Sequence, residues 1–128
     1  MSGQVLESLH DIVSAEHPTY IGGGTDIMPL LKNEVRDDKD FVFLKKIPEL
    51  HVLEEKDGDL IIGAAMTLTE LAESELLNSR YAAIAQAASL TASPQIRNIA
   101  TVGGNIMHPP RQYLSAGFPR RTRRTRFF

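Results

Sequence analysis

Residues 19–29 have the sequence TYIGGGTDIMP, and residues 100–109 have the sequence ATVGGNIMHP. In each stretch an apolar or β-branched pair leads into consecutive glycines, and short polar residues, an Ile-Met pair and a proline follow. Consecutive glycines permit positive φ and remove Cβ atoms, so successive backbone amides can converge on an anion. Each stretch alone is also consistent with an ordinary tight turn. Together they predict two glycine turns that hold the two ends of a diphosphate.

The first glycine stretch is predicted to lie between a strand and a helix. Thr19-Tyr20-Ile21 has strand composition, and the spacing of Ile27, Leu30 and Leu31 predicts a helix directly after the glycines. The first turn of such a helix adds unpaired amides to the anion site. A continuous apolar run at 41–44 predicts the next strand, so about Val5 to Leu44 is expected to form a small parallel βαβ-like unit.

A helix is predicted at the start of this unit, over about Gln4 to Glu16. Its apolar residues fall on one helical stripe, and His17-Pro18 ends it because the residue before a proline is pushed out of the helical region. The stripe consists of Val5, Leu6, Leu9, Ile12 and Val13.

The middle of the chain predicts an antiparallel hairpin followed by helices. Residues 51–55 pair with 60–63 across Asp57-Gly58, a hairpin turn signal. Thr67 and Glu70 have capping-box spacing, which predicts a helix over about Thr69 to Leu76. A second helix is predicted over about Ser79 to Thr91 and packed on the hairpin, with inward-facing residues Ile84, Ala87, Ala88 and Thr91. The fold class is therefore α+β, with the mainly antiparallel part following the βαβ-like unit.

Composition restricts the classes of function. The chain has 128 residues, 42% hydrophobic and 23% charged, which fits one globular domain. It has no cysteine, which excludes disulfides, thiolate metal sites and cysteine-ligated clusters. The four histidines have no metal-ligand spacing and no nucleophile has a base nearby, so no catalytic or metal-binding residue is assigned. No apolar run of about 18 residues and no basic-then-apolar leader occurs, so a cytoplasmic location without a membrane partner is expected.

Charge is distributed unevenly along the chain. Residues 1–76 carry 16 acidic and 6 basic residues, whereas residues 77–128 carry no acidic residue and 8 basic ones. Six of the arginines lie in residues 111–128, a stretch with no helical or strand period. We expect a folded domain over 1–110 and a disordered tail over 111–128. The tail lacks regularly interleaved aromatic residues, so no nucleic-acid partner is expected.

Other phosphate-binding motifs fit these residues poorly. The first stretch has Ile27 where a G-x-G-x-x-G fingerprint needs its third glycine, and the chain has no Walker lysine. Asp37, Asp38 and Asp40 are interpreted as a solvated turn. A nucleotide-binding α/β protein that prefers NAD or a nucleoside diphosphate remains an open alternative.

Three stretches resemble one family of flavoproteins. YIGGGTDIMPLL at 20–31, AAMTLTELAES at 64–74 and above all TASPQIRNIATVGGNIM at 91–107 resemble the FAD-binding subunit or domain of the molybdenum hydroxylases. That group includes xanthine dehydrogenase, carbon monoxide dehydrogenase and 4-hydroxybenzoyl-CoA reductase. The resemblance covers about Val5 to Met107 and implies the FAD-binding fold shared with vanillyl-alcohol oxidase and p-cresol methylhydroxylase (PCMH), C-terminally truncated because the likeness fades near Arg111.

The resemblance also implies a cofactor, a site and partners. The cofactor is FAD, with its diphosphate held by backbone amides and hydroxyls of two segments: Ile21, Gly22, Gly23, Gly24, Thr25 and Asp26, and Thr101, Val102, Gly103, Gly104 and Asn105. The partners are a molybdopterin-binding large subunit and a [2Fe–2S] small subunit, whose electrons FAD passes to an external acceptor. The family begins with a strand ahead of the first helix, for which residues 1–4 are expected to leave no room. A nonfunctional fragment or an FAD-free interaction module is the alternative of a different class.

Overall fold

The computed structural model describes residues 2–14, 18–25, 40–107 and 126–127. The strands are β1 (Ser2–Val5), β2 (Thr19–Ile21), β3 (Asp40–Phe43), β4 (Leu53–Lys56), β5 (Asp59–Ile62) and β6 (Arg126–Phe127). The α-helices are α1 (Leu68–Glu73), α2 (Glu75–Arg80), α3 (Ala82–Leu90), α4 (Pro94–Arg97) and α5 (Val102–Met107), and 3-10 helices span Leu9–Ser14 and Pro48–Leu50.

The strands form a parallel sheet and an antiparallel hairpin. The sheet has the order β1-β3-β2-β6, and β3 pairs in parallel with both β1 and β2. The predicted strands at 19–21 and near 41–44 are therefore confirmed, as is their parallel arrangement. The helix predicted at Ile27 to Leu31 lies outside the described residues.

The predicted first helix over Gln4 to Glu16 is wrong. Residues 2–5 form β1, in register with residues 40–43 of β3, and of the described residues in this range only Leu9–Ser14 turns helically, as a 3-10 helix. The expectation that residues 1–4 leave no room for a strand is wrong for the same reason. Of the predicted stripe, Leu6 is buried, but Val5 and Leu9 are 52% and 40% exposed. Pairing with β3 outweighs the helical pattern, because strand preference depends on the neighbouring strand more than on local sequence.

The predicted hairpin is confirmed. β4 and β5 are antiparallel, with Lys56 opposite Asp59 across the two-residue turn. Asp57 and Gly58 have φ of 53° and 89°. Two central residues with positive φ are the condition for a type I′ turn, whose twist matches that of the strands.

The helices after the hairpin are shorter than predicted. The capping box is present: the Glu70 amide donates to the Thr67 hydroxyl at 3.2 Å and the Thr67 amide to Glu70 Oε2 at 2.7 Å. However, the helix that it starts ends at Glu73, because Ser74 leaves the helical region and caps α2 instead. Likewise α3 begins at Ala82, not Ser79. Of its predicted inward residues Ala88 is buried, Ile84 and Thr91 are half-buried and Ala87 is exposed, while Ala85 is buried in its place.

Two main clusters of buried side chains form the core. One lies between the hairpin and the helices and contains Met66, Leu68, Leu71, Leu77, Ala85 and Ala88. Leu53, Leu60 and Ile62 of the hairpin pack against it, as predicted for a helix over the hairpin. The other lies beside the parallel sheet and contains Leu6, Tyr20, Val42, Leu44 and Ile47.

Two residues of the C-terminal stretch are described, as strand β6. Arg126–Phe127 pair in parallel with Thr19 and Tyr20 of β2. Residues 108–125 lie outside the described residues, so the boundary at residue 110 stays a prediction. Across the parts of the chain that the structure describes, no helix has the length and apolar character needed to cross a membrane.

Candidate functional site

The first glycine segment begins where β2 ends. Ile21 is 2% exposed, and its carbonyl accepts a hydrogen bond from the Leu44 amide at 3.0 Å, which fixes the end of the strand against β3. The backbone then turns through Gly24, which has φ of 76° and is buried. A residue with a Cβ is strained at this φ, so Gly24 meets the prediction of a glycine-dependent turn. Thr25 is half-buried, and Asp26 lies outside the described residues.

Gly23 brings the two predicted segments together. A Cβ on Gly23 would overlap the Ile99 carbonyl oxygen and would lie 2.8 Å from the carbonyl carbon of Ile99 and 3.1 Å from the Ala100 Cα. The backbone of the first segment therefore packs directly on the chain that enters the second. This contact is made by backbone atoms, and only glycine permits it.

The second segment is held on its other side by residues 64–68. The Leu68 amide donates to the Ala100 carbonyl at 3.0 Å, the Val102 amide to Met66 at 2.9 Å and the Gly103 amide to Ala64 at 2.9 Å. Thr67 and Thr101 form an antiparallel bridge, and Thr101 is 1% exposed. The capping box of α1 and the second glycine segment thus share one backbone network.

The second segment is a helix and not the predicted glycine turn. Gly103 and Gly104 lie within α5, and among the described glycines only Gly24 and Gly58 have positive φ. The Gly103 amide donates to Ala64 and the Gly104 amide to the Thr101 hydroxyl at 3.2 Å. Both amides expected to donate to phosphate therefore have protein acceptors. Gly103 also packs closely on residue 64, since a Cβ at Gly103 would lie 3.0 Å from both the Cβ and the carbonyl oxygen of Ala64.

Arg97 fixes the chain that carries Ile99. Its Nη1 donates to the Thr91 carbonyl at 3.1 Å and to the Ala92 carbonyl at 2.9 Å, at a turn where Ala92 has φ of 51°. The next residue, Asn98, accepts a 2.6 Å hydrogen bond from the Thr69 hydroxyl. Arg97 and Asn98 lie in the stretch at 91–107 that resembles the family most, but the resemblance gave them no structural role. The role of Arg97 depends on carbonyls several residues away, which no local pattern identifies.

The described part of the first segment fits a phosphate group. Within the described residues, the amides of Gly22, Gly23 and Gly24 donate to no protein acceptor. Buried amides need hydrogen-bond acceptors, and a turn that exposes consecutive amides is a typical anion site. Of the predicted residues, the structure places Gly23 against the chain entering the second segment, and Val102, Gly104 and Asn105 lie in α5.

Comparison with known proteins decides the family. A family model described as the FAD binding domain in molybdopterin dehydrogenase matches residues 2–114. The chain belongs to this family. FAD is the family's cofactor, as the sequence predicted, and this chain is a member of an oxidoreductase flavoprotein group.

Relatives with known names agree with this assignment. The chain is 33% identical over 88 residues to the carbon monoxide dehydrogenase medium chain of Hydrogenophaga pseudoflava, and 39% identical over 87 residues to the xanthine dehydrogenase FAD-binding subunit of Escherichia coli O157:H7. These matches cover 69% and 67% of this chain but 31% and 30% of the relatives. The chain thus spans about a third of the length of the curated relatives it matches.

Solved structures share the fold of this family member. A carbon monoxide dehydrogenase structure from Hydrogenophaga pseudoflava superimposes with a TM-score of 0.78 at 28% identity, over 83% of this chain and 39% of that one. Quinoline 2-oxidoreductase from Pseudomonas putida 86 gives the same TM-score at 22% identity, which shows a common fold. The mixed helix and strand architecture is therefore that of FAD subunits of molybdenum hydroxylases.

Proposed function

We propose that this chain holds the FAD diphosphate in the flavin component of a molybdenum-containing hydroxylase or dehydrogenase. The proposed site comprises Ile21–Asp26 and Thr101–Asn105. The observation that carries the proposal is the packing of Gly23 on the backbone of Ile99 and Ala100, which brings the first segment against the entry to the second. Family membership supplies the identity of the ligand.

The two segments have different tasks in this proposal. The amides of Gly22, Gly23 and Gly24 donate to the diphosphate, helped by the hydroxyl of Thr25, because these amides have no protein acceptor within the described residues. The second segment shapes the opposite wall. Its amides at Gly103 and Gly104 are bonded to Ala64 and Thr101, so they support the wall and are not the main donors.

In this proposal the chain's residues bind and orient FAD, and no residue of the chain is assigned a proton-transfer step. FAD, when bound, supplies the electron-transfer chemistry of such a site. We further infer that the partners are a molybdopterin-binding large subunit and a [2Fe–2S] small subunit, with electrons leaving through FAD to an external acceptor. The names of relatives support this, since several are medium chains or FAD-subunits. We also infer that the fold is the FAD-binding type shared with vanillyl-alcohol oxidase.

Reconstitution with FAD tests this function. The purified chain is incubated with FAD, desalted and examined for a flavin absorption spectrum. Retained flavin that excess NAD and ADP do not displace supports the proposal. Protein that stays colourless while its circular dichroism shows a folded domain supports the interaction-module alternative, and displacement by NAD or ADP supports a different nucleotide-binding function.

A further inference from the structure

Arg97 stands alone in a long stretch without other charged residues. From Tyr81 to Pro110 it is the one Lys, Arg, Asp or Glu in the sequence. Arginine side chains are mostly exposed, yet Arg97 is half-buried, and its Nη1 donates to the carbonyls of Thr91 and Ala92. Hydrogen bonds from a charged donor are about twice as strong as neutral ones. Arg97 therefore holds the turn between α3 and α4.

The turn that Arg97 holds contains a strained residue. Ala92 has φ of 51°, a left-handed conformation that glycine adopts readily and that costs alanine free energy. Glycine is the usual residue at such a position after a helix, and α3 ends at Leu90. A strained residue persists only where its surroundings keep it in place. The 2.9 Å hydrogen bond from Arg97 to the Ala92 carbonyl is such a restraint.

The position of α4 determines where the Ile99 carbonyl lies. The Ile99 amide donates to the Ile96 carbonyl of α4 at 3.0 Å, so the chain at Ile99 follows this helix. The hydrogen bond from Thr69 to Asn98 also holds this part of the chain, but it joins two neutral groups and is the weaker restraint. A shift of α4 would move the carbonyl on which Gly23 packs.

We propose that Arg97 is a positioning residue for the diphosphate site. By holding the turn at Ala92, it keeps the Ile99 carbonyl against Gly23. Without Arg97 the turn relaxes towards negative φ, α4 shifts, and the first glycine segment loses the surface that fixes its amides. Arg97 acts through the backbone and needs no contact with FAD. This inference rests on the proposed function and adds to it a residue that controls the affinity of the site.

Substitutions of Arg97 give the first test. Arg97→Met removes both hydrogen bonds and keeps an apolar stem, and we expect at least a tenfold loss of FAD affinity in a chain whose circular dichroism is unchanged. Arg97→Lys keeps a cationic donor and should recover part of this loss. Arg80→Met is the matched control, because Arg80 pairs with Glu55 of the hairpin, and it should leave FAD affinity unchanged.

Ala92→Gly separates positioning from a general loss of stability. Glycine adopts φ of 51° without strain, so the turn no longer needs Arg97. The double variant Arg97→Met/Ala92→Gly is therefore expected to regain most of the lost affinity. The proposal is overturned if folded Arg97→Met binds FAD as tightly as the parent chain, or if the double variant regains nothing. If Arg97→Met does not fold, Arg97→Lys with and without Ala92→Gly decides in the same way.

Backbone amide NMR of the protein without FAD decides the inference independently of the proposed function. The Gly23 resonance should shift in Arg97→Met, return towards its parent position in the double variant and stay in place in Arg80→Met. A parent chain that retains no FAD contradicts the proposed function. An unchanged Gly23 resonance in Arg97→Met contradicts the positioning role, whether or not the chain binds FAD.

Discussion

Gly23 is the residue on which the candidate site depends most. In Gly23→Ala the added Cβ overlaps the Ile99 carbonyl oxygen, so the two segments must separate. Overpacking against backbone costs about 1–3 kcal/mol. We expect a loss of stability in this range and at least a tenfold loss of FAD affinity, measured by denaturant unfolding and flavin fluorescence titration.

Gly58→Ala is the matched control for this substitution. A Cβ at Gly58 meets no atom within 4 Å, although φ of 89° strains any residue other than glycine. It should cost about 1 kcal/mol and leave FAD affinity unchanged. If both variants bind FAD as tightly as the parent chain, Gly23 does not shape the site.

The hydroxyl of Tyr81 is expected to stabilise the fold in a way that is lost at alkaline pH. The hydrogen bond that its hydroxyl donates to Glu55 raises the pKa of Tyr81 above its usual value of 10.0, with Glu55 also accepting from Arg80. The stabilisation is therefore complete below about pH 10 and is lost as the pH rises through the raised pKa. The difference in unfolding free energy between the parent chain and Tyr81→Phe should shrink above pH 10. A difference that stays constant to pH 12 would show that this hydrogen bond does not contribute.

At the scale of elements, the cap of α1 connects folding to the site. Thr67→Ala removes the hydroxyl that accepts from the Glu70 amide, beside the bridge to Thr101. Losing an N-cap costs about 1 kcal/mol. We expect this loss in chemical denaturation, and Thr67→Ser, which keeps the hydroxyl, should recover most of it. Equal destabilisation by Ser and Ala would mean that the methyl group, not the cap, matters.

Elements with local signals could be predicted from the sequence. The hairpin depends on Asp57-Gly58 and on alternation within a few residues, and the start of α1 depends on a capping box, so both were predictable. β1 was not, because it is a strand only through its pairing with β3, some 38 residues further along. The break between α1 and α2 at Ser74 was missed because the apolar pattern continues through it.

The sequence identified the two segments of the candidate site but not the backbone conformation of the second segment or the contact between the two. The first glycine stretch was recognised as a turn, and Gly24 has the positive φ that such a turn requires. The second was expected to be a similar turn but is a helix, because hydrogen bonds from Leu68, Val102 and Gly103 fix it against residues 64–68. The contact of Gly23 with Ile99 joins residues 76 positions apart, and no local pattern contains it.

At the scale of the whole molecule, the site lies where the two parts of the chain meet. The first segment leaves the parallel sheet, and the second belongs to the helices beside the hairpin. A ligand bound to both stabilises the folded state by mass action, by about 2.7 kcal/mol at 100 times its Kd. FAD at that concentration should raise Tm by roughly 10 °C. Riboflavin, which has no phosphate, should leave Tm unchanged at the same concentration. An equal rise in Tm with FAD and with riboflavin would argue against a diphosphate site.

Backbone amide NMR during a titration with FAD tests the central claim most directly. The resonances of Gly22, Gly23 and Gly24 should shift along one saturable curve, because their amides are the proposed donors. Gly58, in the hairpin turn, is the internal reference and should not move. Riboflavin should not reproduce the shifts at the three glycines. If FAD saturates the protein while Gly22, Gly23 and Gly24 keep their free resonances, the diphosphate is held elsewhere and the account is contradicted.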